Sequence, residues 1–231
     1  MATPSQTPQE LPAITTQALA ASLKAQALLL QPNPRLDAAE ANCKKHNIPS
    51  ISVSPLQGQF LALLCRMSNA KSVLEIGTLG GYSTIWFAES VPGVKVTSIE
   101  FSAKHRDIAL ENTKGLENVE IRLGKAAEVM RELKAEGQVY DFVFIDANWD
   151  QQAEYFDLAV AMTRPGGSVY VDNVVRNLLD VEEEEGDRAD WSLVDFVKGD
   201  GRVRATVIPT LSTHKVRVEE MVDGFLLAVV R

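Results

Sequence analysis

Lys71–Glu100 reads KSVLEIGTLGGYSTIWFAESVPGVKVTSIE. A short apolar run, Val73–Ile76, meets a glycine-rich turn at Gly77–Gly81. A helical pattern follows, and then a second β-branched run that ends on Glu100. Strand, glycine turn, helix and strand in that order make a β-α-β unit, whose two strands run parallel. Short apolar runs bounded by turn residues recur downstream as VEIRL (119–123), YDFVFID (140–146) and GGSVYVD (166–172). Between them lie helical stretches, SAKHRDIALENTKGL, KAAEVMRELKAEG and QQAEYFDLAVAMT. Five strands alternating with helices predict a parallel sheet covered on both faces.

Outward from this core the pattern is simpler. Residues 1–12, rich in Pro, Thr, Ser and Gln, read as a flexible arm. Thr16 is expected to cap a first helix that ends before Pro32 and Pro34, and a second runs through RLDAAEANCKKHN. Pro55 starts a third. Residues 13–68 therefore form an N-terminal helical appendage on a core spanning 69–231, in one domain over 13–231. A helix around Trp191–Gly199 and two closing strands, RVRATVIP and HKVRVEEMVDGFLLAVV, complete the chain, with a bulge or turn expected at Val222-Asp223-Gly224.

Composition narrows the function. The 231 residues carry a net charge of −8, which argues against a nucleic-acid partner or an anionic membrane surface. No basic, apolar leader opens the chain, and no stretch is apolar enough to span a bilayer, so a soluble cytoplasmic protein is expected. The two cysteines, Cys43 and Cys65, fall in separate helices without metal-ligand spacing and suit a reducing compartment.

The glycine turn excludes one large class. A dinucleotide fingerprint needs glycine at the first, third and sixth positions, and from Gly77 the latter two are Leu79 and Tyr82. Glu75, at the strand tip, would oppose a pyrophosphate. A nicotinamide oxidoreductase is thereby disfavoured. A cationic cofactor without phosphates fits better, and S-adenosylmethionine is such a molecule. Glu100, 25 positions after Glu75, is placed to accept hydrogen bonds from ribose hydroxyls. Ser83, at the helix start, suits a cap or a cofactor contact equally.

Two further strand ends carry oxygen ligands. Asp146 closes the fourth strand, and Asp172-Asn173 close the fifth. In a parallel sheet these ends face the same side, and all-oxygen ligation suits Mg²⁺, with Mn²⁺ or Ca²⁺ as alternatives. His46, His105 and His214 read as surface residues. Lys44 and Lys45, and the acidic run Glu182–Glu185, read as solvated charge.

The ordered set SVSPLQGQFL, VLEIGTLGGYSTI, FVFIDA, PGGSVYVDNVVRN and DGFLLAVV resembles the cation-dependent O-methyltransferases, the group containing the caffeoyl-CoA and catechol enzymes. The resemblance covers roughly the last four-fifths of the chain. It implies a seven-stranded Rossmann-like methyltransferase sheet in a homodimer, acting on a vicinal dihydroxy aromatic of catechol, phenylpropanoid or flavonoid type. By resemblance, Asp146, Asp172 and Asn173 are the metal ligands. Val53, Glu75, Gly77, Thr78, Gly81, Tyr82, Ser83, Glu100, Ala126 and Asp146 surround S-adenosylmethionine. Asn177 touches the acceptor, and the helices before Ser54 close over it.

One position departs from the family pattern. Where that pattern has a lysine assigned as general base, this chain has Trp149, preceded by Asn148, and neither removes a proton at neutral pH. Asp146, Asn148 and Trp149 are the catalytic candidates. Lys125 and Asp150 are candidate substitutes for the base, and Trp149 is a packing residue or an aromatic wall for the acceptor. The alternative function is a cofactor-binding scaffold with weak or lost turnover.

Overall fold

The computed structural model describes residues 13–176, 178, 192–211 and 222–231. Seven strands form one sheet: β1 (Ser72–Ile76), β2 (Lys95–Glu100), β3 (Val119–Leu123), β4 (Tyr140–Ile145), β5 (Thr163–Val171), β6 (Val203–Leu211) and β7 (Val222–Val230). Their order is β3-β2-β1-β4-β5-β7-β6. The first five are mutually parallel, and β7 inserts antiparallel between β5 and β6. The seven-stranded Rossmann-like sheet implied by the sequence is the fold observed. The order reverses between β1 and β4, and a crevice opens at the carboxyl ends of such a pair.

The strands are parallel and central because they are apolar on both faces. Leu74, Ile76, Val143, Ile145, Val169 and Val171 meet α6 (Ala126–Ala135) and α7 (Gln152–Met162) on one side. Val73, Phe142, Phe144 and Tyr170 face α3 (Pro55–Met67) and α4 (Tyr82–Ala88) on the other. There Phe87, Phe144, Tyr170 and Phe225 form a chain of ring contacts, the closest being Tyr170 on Phe225 at 4.4 Å. Each such pair contributes about 0.5–1.5 kcal/mol beyond its buried area.

The front helices dock onto this core. Asn33 caps α2 (Pro34–Lys45), and Ser54 caps α3, each with proline at the first helical position. Arg35 donates to Glu89 and to the Lys114 carbonyl, and Asn42 donates to Asn112 on α5 (Ala103–Asn112). Cys43 packs so closely on Gly80 that a Cβ there would stand 2.1 Å from its sulfur.

Three local expectations change. The first helix, α1, spans Ala13–Leu29, so Thr16 lies within it rather than capping it. The helix expected around Trp191–Gly199 is shorter, α8 (Leu193–Val197), and Trp191 lies outside the described residues. Val222-Asp223-Gly224 is neither bulge nor turn. β7 pairs β6 in unbroken register through Asp223↔Thr210 and Gly224↔Pro209. The glycine is needed for close approach instead, because a Cβ at 224 would stand 2.4 Å from the Ile208 carbonyl oxygen. The arm over 1–12, Glu182–Glu185 and His214 lie outside the described residues. Among the described residues no helix is long and apolar enough to cross a membrane.

Candidate active site

The turn after β1 is shaped by backbone that side chains resist. Gly77 has φ +95°, and a Cβ on it would lie 2.0 Å from the Asp146 carbonyl oxygen. The end of β1 therefore rests directly on the end of β4. Gly81, at φ +82°, opens α4.

Beneath the turn, Glu75 is fully buried. Its Oε1 accepts from Ser83 Oγ at 2.5 Å, and its Oε2 from Thr84 Oγ1 at 2.5 Å and Ser98 Oγ at 2.6 Å. Burial pushes its carboxyl up to about 7, against the three hydroxyl bonds that favour the charged form, with Glu100 adding repulsion. Ser83 is thus a ligand of Glu75 as well as a first-turn residue.

Glu100 is held by the turn itself. Its Oε2 accepts from the backbone N–H groups of Thr78 (3.2 Å) and Leu79 (2.8 Å), and its Oε1 from that of Ser102 (2.9 Å). His105 Nδ1 stands 3.6 Å from Oε1. The histidine expected on the surface is therefore turned into the site, from the first turn of α5.

These residues border a cavity of about 1350 Å³. Val53, Gly77, Thr78, Tyr82, Ser83, Glu100, Ala126, Asp146 and Asn148 all line it. Glu75 and Gly81 do not reach its wall. Glu75 lies below it, and the Cβ position of Gly81 faces Ala109 and Thr113 instead. Phe101 and His105 are wall residues that sequence reasoning missed, although both follow Glu100 closely.

A second cavity, about 650 Å³, adjoins the first. Ile51, Ser52, Val53, Asp146, Ala147 and Asn148 line both. Its far wall carries Trp149, Asp150, Asp172, Asn173, Arg176 and Asp223, with Tyr170 and Phe225 behind. The β4–β5 register pairs Ile145 with Val171, so Asp146 and Asp172 emerge side by side. Asn173 adopts the left-handed region at φ +60° and donates Nδ2 to Asp223 Oδ2 at 2.7 Å.

Asp172 is buried, and its carboxyl is held well above the usual range by burial, then by the charges of Asp146 and Asp223. Gln57 and the Asn173 backbone N–H offset only part of this. Among the described residues no group of three His, Cys, Asp or Glu side chains is arranged to hold a metal ion. The set Asp146, Asp172 and Asn173 counts two acids and an amide. Its chemistry, crowded carboxylates beside an amide at the edge of the second cavity, fits a hard divalent cation.

Trp149 sits in a single 3₁₀ turn, Trp149–Gln151, ahead of α7. The Arg176 guanidinium carbon lies 5.5 Å from its ring centroid, a cation–π contact. The indole is both a wall of the cavity and a platform for that arginine. Asp150, exposed, reaches the second cavity. Lys125 does not, lining the first cavity and pairing with Glu128 at 3.4 Å. Asn177 lies outside the described residues. Arg176 and Asp223 were missed from sequence, the only local signal being Asp223 at the start of an otherwise apolar strand.

A model of the O-methyltransferase family matches residues 32–213. This chain belongs to that family. It is 37% identical over 204 residues to a catechol O-methyltransferase of Niastella koreensis, covering 84% of this chain and 89% of the relative. It is 39% identical over 203 residues to the O-methyltransferase imqG of Aspergillus flavus, covering 82% and 80%. Among solved structures, the O-methyltransferase from Bacillus cereus, in complex with SAH, superposes with a TM-score of 0.84 at 33% identity, covering 94% of this chain and 100% of that one. TomG from Streptomyces achromogenes, an O-methyltransferase in complex with SAM, gives 0.81 at 31% identity, covering 94% and 98%. The two adjoining cavities are therefore those of an O-methyltransferase.

Proposed function

We propose that this O-methyltransferase moves the methyl group of S-adenosylmethionine, held in the larger cavity, to one hydroxyl of a vicinal dihydroxy aromatic in the smaller one. A divalent cation on Asp146, Asp172 and Asn173, most simply Mg²⁺, belongs to the same reading. The observation that carries it is the shared wall, Ile51–Val53 and Asp146–Asn148, which brings a donor cavity and an acid-lined acceptor cavity into contact. Relatives named for catechol and caffeoyl-CoA methylation, and similar structures holding SAM or SAH, support donor and acceptor class.

When bound, the cation lowers the pKa of an acceptor hydroxyl and so supplies an aryloxide near neutral pH. The chain does the rest. Asp146, which lines both cavities, and Asp172, which lines the smaller one, would hold that charge, and Glu100 fixes the glycine turn through Thr78 and Leu79. Tyr170 and Phe225 give the acceptor cavity an apolar floor. Holding donor and acceptor at near-attack distance supplies most of the acceleration. Asn148 and Trp149 take no proton.

The test is purified protein with S-adenosylmethionine, Mg²⁺ and a panel of catechols. A methyl ether that a chelator abolishes and Mg²⁺ restores is expected, and no product, or product indifferent to chelator, overturns the reading. A second reading, a scaffold that binds the cofactor without turnover, is favoured by Trp149 standing where a base would be. Calorimetry showing cofactor binding with no transfer to any catechol would establish it. A cytoplasmic homodimer is part of the proposal, and light scattering tests its stoichiometry.

A further inference from the structure

We propose that Asp223 is a positioning residue that orients the side-chain amide of Asn173, so that its oxygen and not its nitrogen faces Asp146 and Asp172. The inference rests on the proposed cation site.

A primary amide has an oxygen that ligates hard cations and a nitrogen that does not, and a half-turn about its last bond exchanges them. An asparagine ligand is therefore useful only if something chooses the face. Asp223 is nearly fully buried and lies 50 residues along the chain, on β7. Its Oδ1 accepts from two backbone groups that cannot rotate away, the N–H of Gly224 at 2.8 Å and that of Arg176 at 3.4 Å. Its Oδ2 is thereby aimed at Asn173 and accepts from Nδ2 at 2.7 Å, with Arg176 Nε 3.8 Å away. A carboxylate only accepts, so the amide must present N–H₂ to it. Oδ1 is then the atom turned from Asp223 and offered to the cavity that Asp146 and Asp172 share with it. Partners of this kind, behind a ligand, commonly set metal affinity.

Replacement by the isosteric amide reverses the choice. In Asp223→Asn the carbonyl oxygen stays with the two fixed backbone donors, and the new N–H₂ group points at Asn173. Two donors then face each other. The conflict is relieved when Asn173 turns over, which places Nδ2 toward the cation.

The experiment is a Mn²⁺ titration, by calorimetry and electron paramagnetic resonance, of wild type, Asp223→Asn, Asn173→Ala and the double variant. Circular dichroism and S-adenosylmethionine affinity check that Asp223→Asn is folded. Wild type is expected to bind Mn²⁺, with Asp223→Asn weakening it roughly 10- to 100-fold. In the Asn173→Ala background the same substitution is expected to cost less than about threefold, because its effect passes through the amide. Unchanged Mn²⁺ affinity in Asp223→Asn overturns the proposal. So does an equal loss with and without Asn173, which would mean that Asp223 acts by its charge alone. Absence of Mn²⁺ binding by wild type overturns the cation reading and this inference with it, and wild type alone distinguishes that outcome. If Asp223→Asn does not fold, hydrogen exchange of the Asn173 side-chain amide in wild type decides. Protected N–H₂ protons support the carboxylate contact, and exchange as fast as in an exposed asparagine overturns it.

Discussion

The proposed donor and acceptor halves of the site are built in different ways. The donor half comes largely from one contiguous unit: Glu75, Ser83, Thr84, Ser98 and Glu100 bond to one another and to the turn at Thr78 and Leu79. The acceptor half is drawn from residues as far apart along the chain as Ile51 and Phe225, through β4, β5 and β7. Local hydrogen bonds hold the first. The second exists only once the sheet has closed, because β7 must return antiparallel beside β5 before Asp223 meets Asn173.

The largest effect should separate the halves outright. Asp172→Ala removes a candidate ligand on the acceptor side and is expected to lower kcat/KM about 10³-fold, the scale of losing the charge that stabilises the reacting oxygen. Calorimetry should find S-adenosylmethionine affinity within a few-fold of wild type; loss of both together would mean that the halves are not separable.

Gly77→Ala attacks the point where they touch. Its Cβ would press on the Asp146 carbonyl oxygen at 2.0 Å, at a φ that alanine avoids. Urea denaturation should show a loss of about 3–4 kcal/mol, with both donor binding and turnover impaired.

Glu75→Gln probes the donor half alone. A folded-state pKa of about 7, raised from 4.5 by burial, means that the native state binds more protons than the unfolded chain between those values. Glu75's contribution to stability is therefore largest below about 4.5, falls as pH rises toward 7 and levels above it, a change of about 3–4 kcal/mol. The glutamine variant should lack this component when the two are compared by denaturation at pH 4.5 and 8. An unaltered difference would place the titration on another group.

The smallest effect is expected at Trp149. Trp149→Lys removes the ring under Arg176 and places a like charge beside it, so acceptor KM should rise about 2- to 5-fold at nearly constant kcat. A large gain in kcat would instead show that a base was missing from this half.

Legibility follows the same division. The glycine turn, the acids at two adjacent strand tips and the alternation of strands with helices could be read directly, since each depends on neighbours along the chain. The convergence of Asp146 with Asp172 and Asn173 at one sheet edge was legible too, because consecutive parallel strands end on one side and β4 and β5 are in fact adjacent. Val222-Asp223-Gly224 reads from sequence as a bulge or turn because sequence shows that a glycine is there, not which backbone approaches it. His105 was assigned to the surface because a lone histidine carries no signal of the Glu100 carboxylate beside it.

By itself, then, the sequence determined the parallel core, the exclusion of a dinucleotide site and the chemical character of the strand-end residues, all properties of local pattern and residue type. Only the tertiary structure decided that Glu75 lies beneath the donor cavity rather than in its wall, that Trp149 carries Arg176, and that Asp223 faces Asn173. Those facts depend on which distant backbones share a sheet edge. Long-range burial and antiparallel pairing set that arrangement, and neither leaves a spacing along the chain.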